Sequence, residues 1–169
     1  MSIATLKSEK FLSGFESLIE KIEEAEEAYK ALEDAIKFNL SITIPYMHFR
    51  EKIVALAYEI VGFLEKNKNL FDEERRRNIE ESIKAFKADI TNFLSYMFAE
   101  KTIEYTIQAQ TGKTFIEHIK NSLEYTIEAL KIEQKKIFIR EVLKRVEIFP
   151  KFTEMRELKK KRFEEEALE

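Results

Sequence analysis

The chain has 169 residues, enough for one domain, and 44% of them are hydrophobic, which is enough for a sizeable core. Only 3 Gly and 2 Pro are present, whereas the tight turns of all-β folds and the glycine loops of α/β folds depend on these residues. Charged residues make up 36% of the chain, and the net charge is −3. This composition is typical of long solvated helices. The absence of Cys excludes disulfides, thiolate nucleophiles and Cys-ligated metals. Composition therefore predicts an all-α protein.

The distribution of apolar residues predicts a soluble protein. The N-terminal sequence MSIATLKSEKF lacks the long apolar stretch of a signal peptide. The main apolar run, Ile53–Leu64, has 12 residues, fewer than the roughly 20 needed to span a bilayer. We therefore expect a cytoplasmic protein with no membrane contact. The abundance of Glu, Lys and Ile suits a thermophilic source, although an AT-rich genome gives a similar bias.

A heptad pattern predicts the first helix, from about Ser8 to Asn39. Its apolar residues recur at alternating intervals of four and three: Phe11, Phe15, Leu18, Ile22, Ala25, Tyr29, Leu32 and Ile36. Ser8 is a candidate N-cap, and Asn39 can end the helix. Both a coiled-coil seam and a helix of a bundle use this spacing, and we favour the bundle.

The segment that follows, LSITIPY from Leu40 to Tyr46, breaks the helical period. Its apolar residues alternate with small or polar ones, which is typical of a short strand. Pro45 restricts such a strand to a sheet edge, or else marks the first turn of the next helix with Thr43 as its cap. We favour an extended connection between helices, although the segment can also pair across a dimer interface. The candidate interface residues are Ile42, Ile44 and Tyr46.

The second predicted helix, from about Pro45 to Lys66, is apolar on nearly every side, which predicts that it is the central helix of the fold. One apolar stripe contains Phe49, Ile53, Leu56, Ile60 and Phe63. A second stripe lies beside it and faces either another helix or a second copy of the protein. The second stripe, a further candidate interface, contains Val54, Ala57, Val61 and Leu64.

The remaining helices are predicted from caps and apolar spacing. The third begins near Glu73 with Asp72 as N-cap, and it either breaks near 98–102 or continues to Gly112. The fourth begins with the capping box Thr114–Glu117 and ends before Pro150. The predicted fold is an elongated antiparallel bundle of four long amphipathic helices in residues 1–150, followed by a charged helix or tail in residues 151–169.

Motifs that would indicate catalysis are incomplete. The sequence TGKT at 111–114 resembles the end of a phosphate-binding loop, but Ile107 stands where that motif needs a glycine. Neither His48 nor His118 belongs to a Glu-x-x-His pair of the kind that holds di-iron sites in helical bundles. We therefore expect no enzyme activity, no cofactor and no metal. A small-molecule or metal site inside the bundle is the weakest of the hypotheses.

Charge is unevenly distributed along the chain, which leaves two interpretations. The first helix is acidic and the segment Lys131–Arg162 is basic. The two segments can lie beside each other, or the basic one can contact phosphates through Lys159, Lys160, Lys161 and Arg162. We favour a structural or protein-interaction module that self-associates, with a nucleic-acid-associated protein as the alternative.

Overall fold

The computed structural model describes residues 3–95, 102–133, 136–146 and 165. In these ranges the chain forms α1 (Ile3–Lys37), α2 (Thr43–Asn67), α3 (Glu73–Ser95), α4 (Thr102–Ile132) and α5 (Ile137–Val146), with one 3₁₀ turn at Lys68–Leu70. No strand occurs among the described residues. The protein is an all-α helical bundle, as the composition predicts.

Side-chain contacts show that neighbouring long helices run antiparallel. Along α1 and α2, Ser17 donates to Glu59 at 2.9 Å, while Lys52 lies 3.2 Å from Glu24. The sequence positions rise on one helix as they fall on the other. The buried Lys120 of α4 pairs with Glu26 of α1 at 2.8 Å and links the first and fourth helices.

The first helix buries the predicted heptad stripe, with Leu18, Ile22 and Leu32 fully inaccessible to solvent. A second set of α1 residues is buried beside it, so α1 is two-sided like α2. This second set contains Leu12, Ile19, Ala28 and Ala35. Both α1 and α2 therefore have two buried sides, because α1 packs against α2 and also against α4 and α5.

The sequence predicted the C-terminal end of α1 correctly but not its N-terminal end. The helix begins at Ile3, so Ser8 is not its N-cap. Ser8 is instead buried within the helix and donates to the carbonyl of Phe138 at 3.3 Å. At the other end Asn39 has φ 55°, and the amide of Leu40 donates to the carbonyl of Ala35 at 2.9 Å. This is a Schellman termination with Asn39 in the left-handed position, as its place in the sequence suggested.

The connection to α2 contains no strand. Residues 38–42 join the helices, and Pro45 lies in the first turn of α2, as one of the two interpretations of that proline predicts. Thr43 is the first helical residue, not the cap: Ile42 holds the cap position and makes no side-chain capping bond. At the start of α3 the predicted cap is confirmed, because the amide of Arg75 donates to Asp72 at 2.9 Å.

The chain reverses direction between α3 and α4. The Asn78 side chain donates to the Tyr125 hydroxyl at 3.1 Å, and the Phe86 ring lies 5.7 Å from the Phe115 ring. These contacts make α3 and α4 antiparallel, so one helix cannot continue through both. Residues 96–101, which contain most of the stretch where the sequence left a break open, lie outside the described residues.

The predicted start of the fourth helix at Thr114 is wrong. Helix α4 passes through 111–114 without interruption, and Thr114 bonds the carbonyl of Gln110 within the same helix. The Thr114–Glu117 pattern is therefore not a capping box. Gly112 has a right-handed helical backbone and serves a packing role instead of ending a helix.

The predicted end of that helix at Pro150 is also wrong. Helix α4 ends at Ile132, and the separate helix α5 begins at Ile137. Arg145 of α5 pairs with Glu9 of α1 at 2.8 Å, so this part of the basic segment lies beside the acidic first helix. Residues 151–169 were predicted as a charged helix or tail; apart from Glu165 they lie outside the described residues.

Candidate protein-interaction surface

The inner face of α2 forms the centre of the core. Its side chains contact α1, α3 and α4, and Phe49, Ile53, Leu56 and Ile60 are almost completely inaccessible to solvent. The position of this helix agrees with the prediction made from its all-round hydrophobicity. It also removes these side chains from any surface that a partner could reach.

A glycine allows α4 to approach this inner face closely. A Cβ atom built on Gly112 would lie 2.3 Å from Cζ of Phe49, so the ring occupies the space that any larger residue would need. The Phe49 ring also lies 5.9 Å from the ring of Tyr29 on α1. Three helices therefore meet around one phenylalanine.

Polar groups border this junction and are satisfied there. The Tyr29 hydroxyl donates to Glu33 at 2.7 Å and accepts a bond from Gln110 at 3.4 Å. Burial, together with the bond to Glu33, raises the pKa of Tyr29 to about 12, so the phenol stays protonated at neutral pH. Nearby, the buried Tyr46 hydroxyl donates to Gln108, and the Tyr46 ring packs at 4.7 Å against Tyr105. These groups stabilise the core.

The opposite face of α2 is apolar, and no other helix in the described part of the chain covers it. We call it the outer α2 face, and it consists of Ile44, Met47, His48, Glu51, Val54, Ala55 and Tyr58. Ile44 is 77% exposed, Met47 62% and Tyr58 59%. Glu51 is the one charged residue of this face, although 36% of the chain is charged. Large apolar side chains grouped in this way on an exposed surface mark a site of interaction.

The Schellman turn extends the apolar surface beyond the helix. Phe38 and Leu40 lie on either side of Asn39 and are each more than half exposed. In this type of termination the residue in the position of Leu40 often packs back onto the last turn of the helix. Here Leu40 remains largely in solvent, so the turn presents apolar residues next to the start of the outer α2 face.

Two shallow cavities follow the same side of α2. The first has a volume of about 540 Å³ and is lined by Ile44, Met47, His48, Arg50, Glu51 and Val54. The second, about 1080 Å³, lies between α1 and α2, and both Tyr58 and Gly62 contribute to it. A Cβ atom on Gly62 would meet nothing within 4 Å. The surface therefore continues past Tyr58 as an open groove.

Two charged groups at the first cavity lack partners. The Nε atom of Arg50 is buried without a hydrogen-bond partner. In the part of the chain that the structure describes, neither Arg50 nor the adjacent Glu51 forms an ion pair. An unsatisfied buried polar atom costs free energy, so the surroundings of Arg50 are not optimal in the single chain.

The predicted interface residues fall on different sides of α2. Ala57, Val61 and Leu64 are buried inside the chain, so their burial needs no second copy, whereas Val54 is half-buried at the edge of the outer α2 face. Of the residues chosen in the preceding segment, Ile44 is exposed, Ile42 is partly buried and Tyr46 is in the core. Their role in an interface stays a prediction.

The sequence pattern contained a signal for the outer α2 face, although three of the four α2 residues selected from it, Ala57, Val61 and Leu64, are buried. The all-round hydrophobicity of α2 indicated two apolar sides, but spacing alone cannot say which side is covered. Met47 and Tyr58 were missed, although they lie three residues after Ile44 and four after Val54 on one helical surface.

Two basic residues of the predicted nucleic-acid segment, Lys131 and Arg145, pair with acids in the described part of the chain. Lys131 pairs with Glu128 at 2.9 Å, and Arg75 pairs with both Asp72 and Glu133. The four residues chosen for phosphate contact lie outside the described residues and stay a prediction: Lys159, Lys160, Lys161 and Arg162. A salt-dependent gel shift that is lost when these four are neutralised tests that alternative.

No three His, Asp or Glu residues in the described ranges are grouped so that they could hold a metal ion. Within those same ranges, no helix combines the length and the hydropathy that a bilayer crossing requires. Comparison with protein families, with characterised proteins and with solved structures finds no match to this chain.

Proposed function

We propose that the protein is a non-enzymatic structural or interaction module that binds another protein surface through the outer α2 face. The observation that carries the proposal is the exposure of Ile44, Met47 and Tyr58 on a helix whose other side is the centre of the core. Leaving such side chains in water costs roughly 1.5–3 kcal/mol each relative to full burial. A protein partner would recover part of that free energy.

The exposed faces of α1 and α3 support this choice of surface. On α1 the exposed positions are mainly Glu and Lys, including Glu16, Glu20 and Lys30. On α3 they include Glu81 and Lys84. Charged side chains of this kind keep a surface soluble and free of partners. The outer α2 face differs from both because it is almost uncharged.

The test is capture of a stoichiometric partner by the purified protein, with and without a disrupted face. The disrupted variant carries both Ile44→Asp and Met47→Asp. These changes place charges at two exposed positions that do not contribute to the core. The matched control is Glu81→Lys with Lys84→Glu on α3, which changes charge on a surface with no apolar patch.

We expect the wild type and the control to hold one partner protein, either a second copy or a different chain, in a defined ratio. The Asp variant should lose it while its helical circular dichroism and unfolding midpoint stay unchanged. A wild-type protein that sediments as a monomer at high concentration and retains no stoichiometric partner would overturn the proposal.

A further inference from the structure

We infer that the occupant of the outer α2 face is a second copy of the chain, bound antiparallel across a two-fold axis that passes through the cavity between Ile44 and Val54. The inference rests on the proposed function and names its partner. Its starting point is the order of residues along the face, which is self-complementary. An interface between identical copies about a two-fold requires that property, because each residue meets its counterpart in reverse order.

The apolar residues fit such an arrangement. If the axis crosses α2 between Arg50 and Glu51, then Met47 of one copy lies opposite Val54 of the other. Ile44 then lies within about one helical residue, or about 1.5 Å along the axis, of Tyr58 of the second copy. The large exposed side chains at one end of the face thus meet those at the other end. The face spans about 21 Å from Ile44 to Tyr58, so it can support such contacts over four helical turns.

The charged residues fit the same axis. Arg50 and Glu51 both line the cavity, have no ion-pair partner in the described part of their own chain, and carry opposite charges. The two-fold brings Arg50 of each copy to Glu51 of the other, which forms two equivalent pairs. A partner of unrelated sequence would need to supply both an acid and a base at this spacing.

The first experiment measures self-association by sedimentation equilibrium of the wild type, Arg50→Glu, Glu51→Arg and an equimolar mixture of the two variants. We expect the wild type to dimerise and each single variant to weaken dimerisation by about tenfold or more, since each creates two like-charge contacts. The mixture should recover the wild-type affinity as a heterodimer, because one copy then carries two acids and the other two bases. The control variants Glu81→Arg and Lys84→Glu on α3 should leave the affinity unchanged.

The second experiment reads the register directly. The chain contains no Cys, so single cysteines can be introduced without background. A mixture of Met47→Cys and Val54→Cys proteins should form a disulfide-linked heterodimer under mild oxidation, whereas Met47→Cys mixed with Glu81→Cys should not. This readout stays available if the Arg50→Glu protein fails to fold.

The outcomes separate this inference from the proposed function. A monomeric wild type whose outer α2 face holds a different protein would overturn the second copy and leave the proposed function standing. A monomeric wild type that retains no partner would overturn both. A dimer that is insensitive to the charge variants and gives no Met47–Val54 cross-link would place the contact elsewhere and overturn the inference.

Discussion

The two faces of α2 use similar residues for different purposes. Ile53 on the inner face is fully buried, whereas Ile44 on the outer face is 77% exposed. Gly62 faces open space on the outer side, and on α4 Gly112 touches the inner face at Phe49. Tyr46 bonds Gln108 in the core, and Tyr58 remains in solvent. The contribution of a residue to stability therefore depends on the helices that pack against its face of α2, and not on residue type alone.

The isoleucine pair should show the largest difference between the faces. Ile53→Ala removes buried methyl groups and leaves a cavity in the core, so we expect a loss of about 2–5 kcal/mol in the free energy of unfolding. Ile44→Ala should change it by less than about 0.5 kcal/mol, because the side chain is already in water. Urea denaturation followed by circular dichroism measures both, at a concentration below any self-association. Equal losses for the two variants would show that Ile44 is covered within the single chain.

The glycine pair should give changes of opposite sign. Alanine is favoured over glycine in a helix by about 1 kcal/mol, and Gly62→Ala should gain about that amount because nothing obstructs the new methyl group. At Gly112 the same methyl group would collide with Phe49, whose ring is fully packed. Overpacking of this kind costs typically about 1–3 kcal/mol, which exceeds the helix-propensity gain, so we expect a net loss of up to about 2 kcal/mol.

Unfolding curves of the two alanine variants measured side by side check this expectation. A further variant, Gly112→Ala with Phe49→Leu, provides the mechanism-specific control, since a smaller side chain leaves room for the methyl group. The double variant should be less destabilised than the sum of the two single changes. A stabilised Gly112→Ala protein would contradict the close approach of α4 to Phe49.

The tyrosine pair tests the smaller contribution of a single hydroxyl. Tyr46→Phe removes the donor to the buried Gln108, and we expect a loss of about 1 kcal/mol because a buried amide oxygen then loses a partner. Tyr58→Phe on the outer α2 face should be neutral within about 0.5 kcal/mol. Thermal unfolding of both variants is the measurement, and a neutral Tyr46→Phe would mean that the hydroxyl bond adds nothing net to stability.

The sequence predicted the features that depend on local chemistry. The heptad stripe of α1, the central place of α2, the Asp72 cap and the Asn39 termination all follow from spacing or from the conformational preference of one side chain. Each of these signals is contained within a few helical turns. The structure keeps these features because no contact with a distant part of the chain opposes them.

The features that were missed depend on contacts distant in sequence. In the sequence, Gly112 resembles a glycine that ends a helix. In the structure it allows close packing, because the ring of Phe49, 63 positions earlier in the chain, fills the space beside it. Thr114 and Glu117 match a capping box, yet α4 continues through them because its apolar residues Phe115, Ile116 and Ile119 all pack into the core. The gap between α4 and α5 lies in a stretch where the apolar stripe only drifts. Which side of α2 stays uncovered is likewise decided by the placement of other helices.

The smallest predicted effect concerns the turn that connects α1 to the outer α2 face. Asn39 adopts the left-handed conformation at φ 55°, which glycine accepts freely and alanine resists by about 1–2 kcal/mol. Asn39→Gly should therefore change the free energy of unfolding by no more than about 0.5 kcal/mol, because the relief of strain is offset by the greater freedom of the unfolded chain. Asn39→Ala should lose about 1 kcal/mol in the same denaturation experiment. An alanine variant as stable as the wild type would mean that the backbone of the turn can relax. The Schellman termination would then not fix the positions of Phe38 and Leu40 beside the outer α2 face.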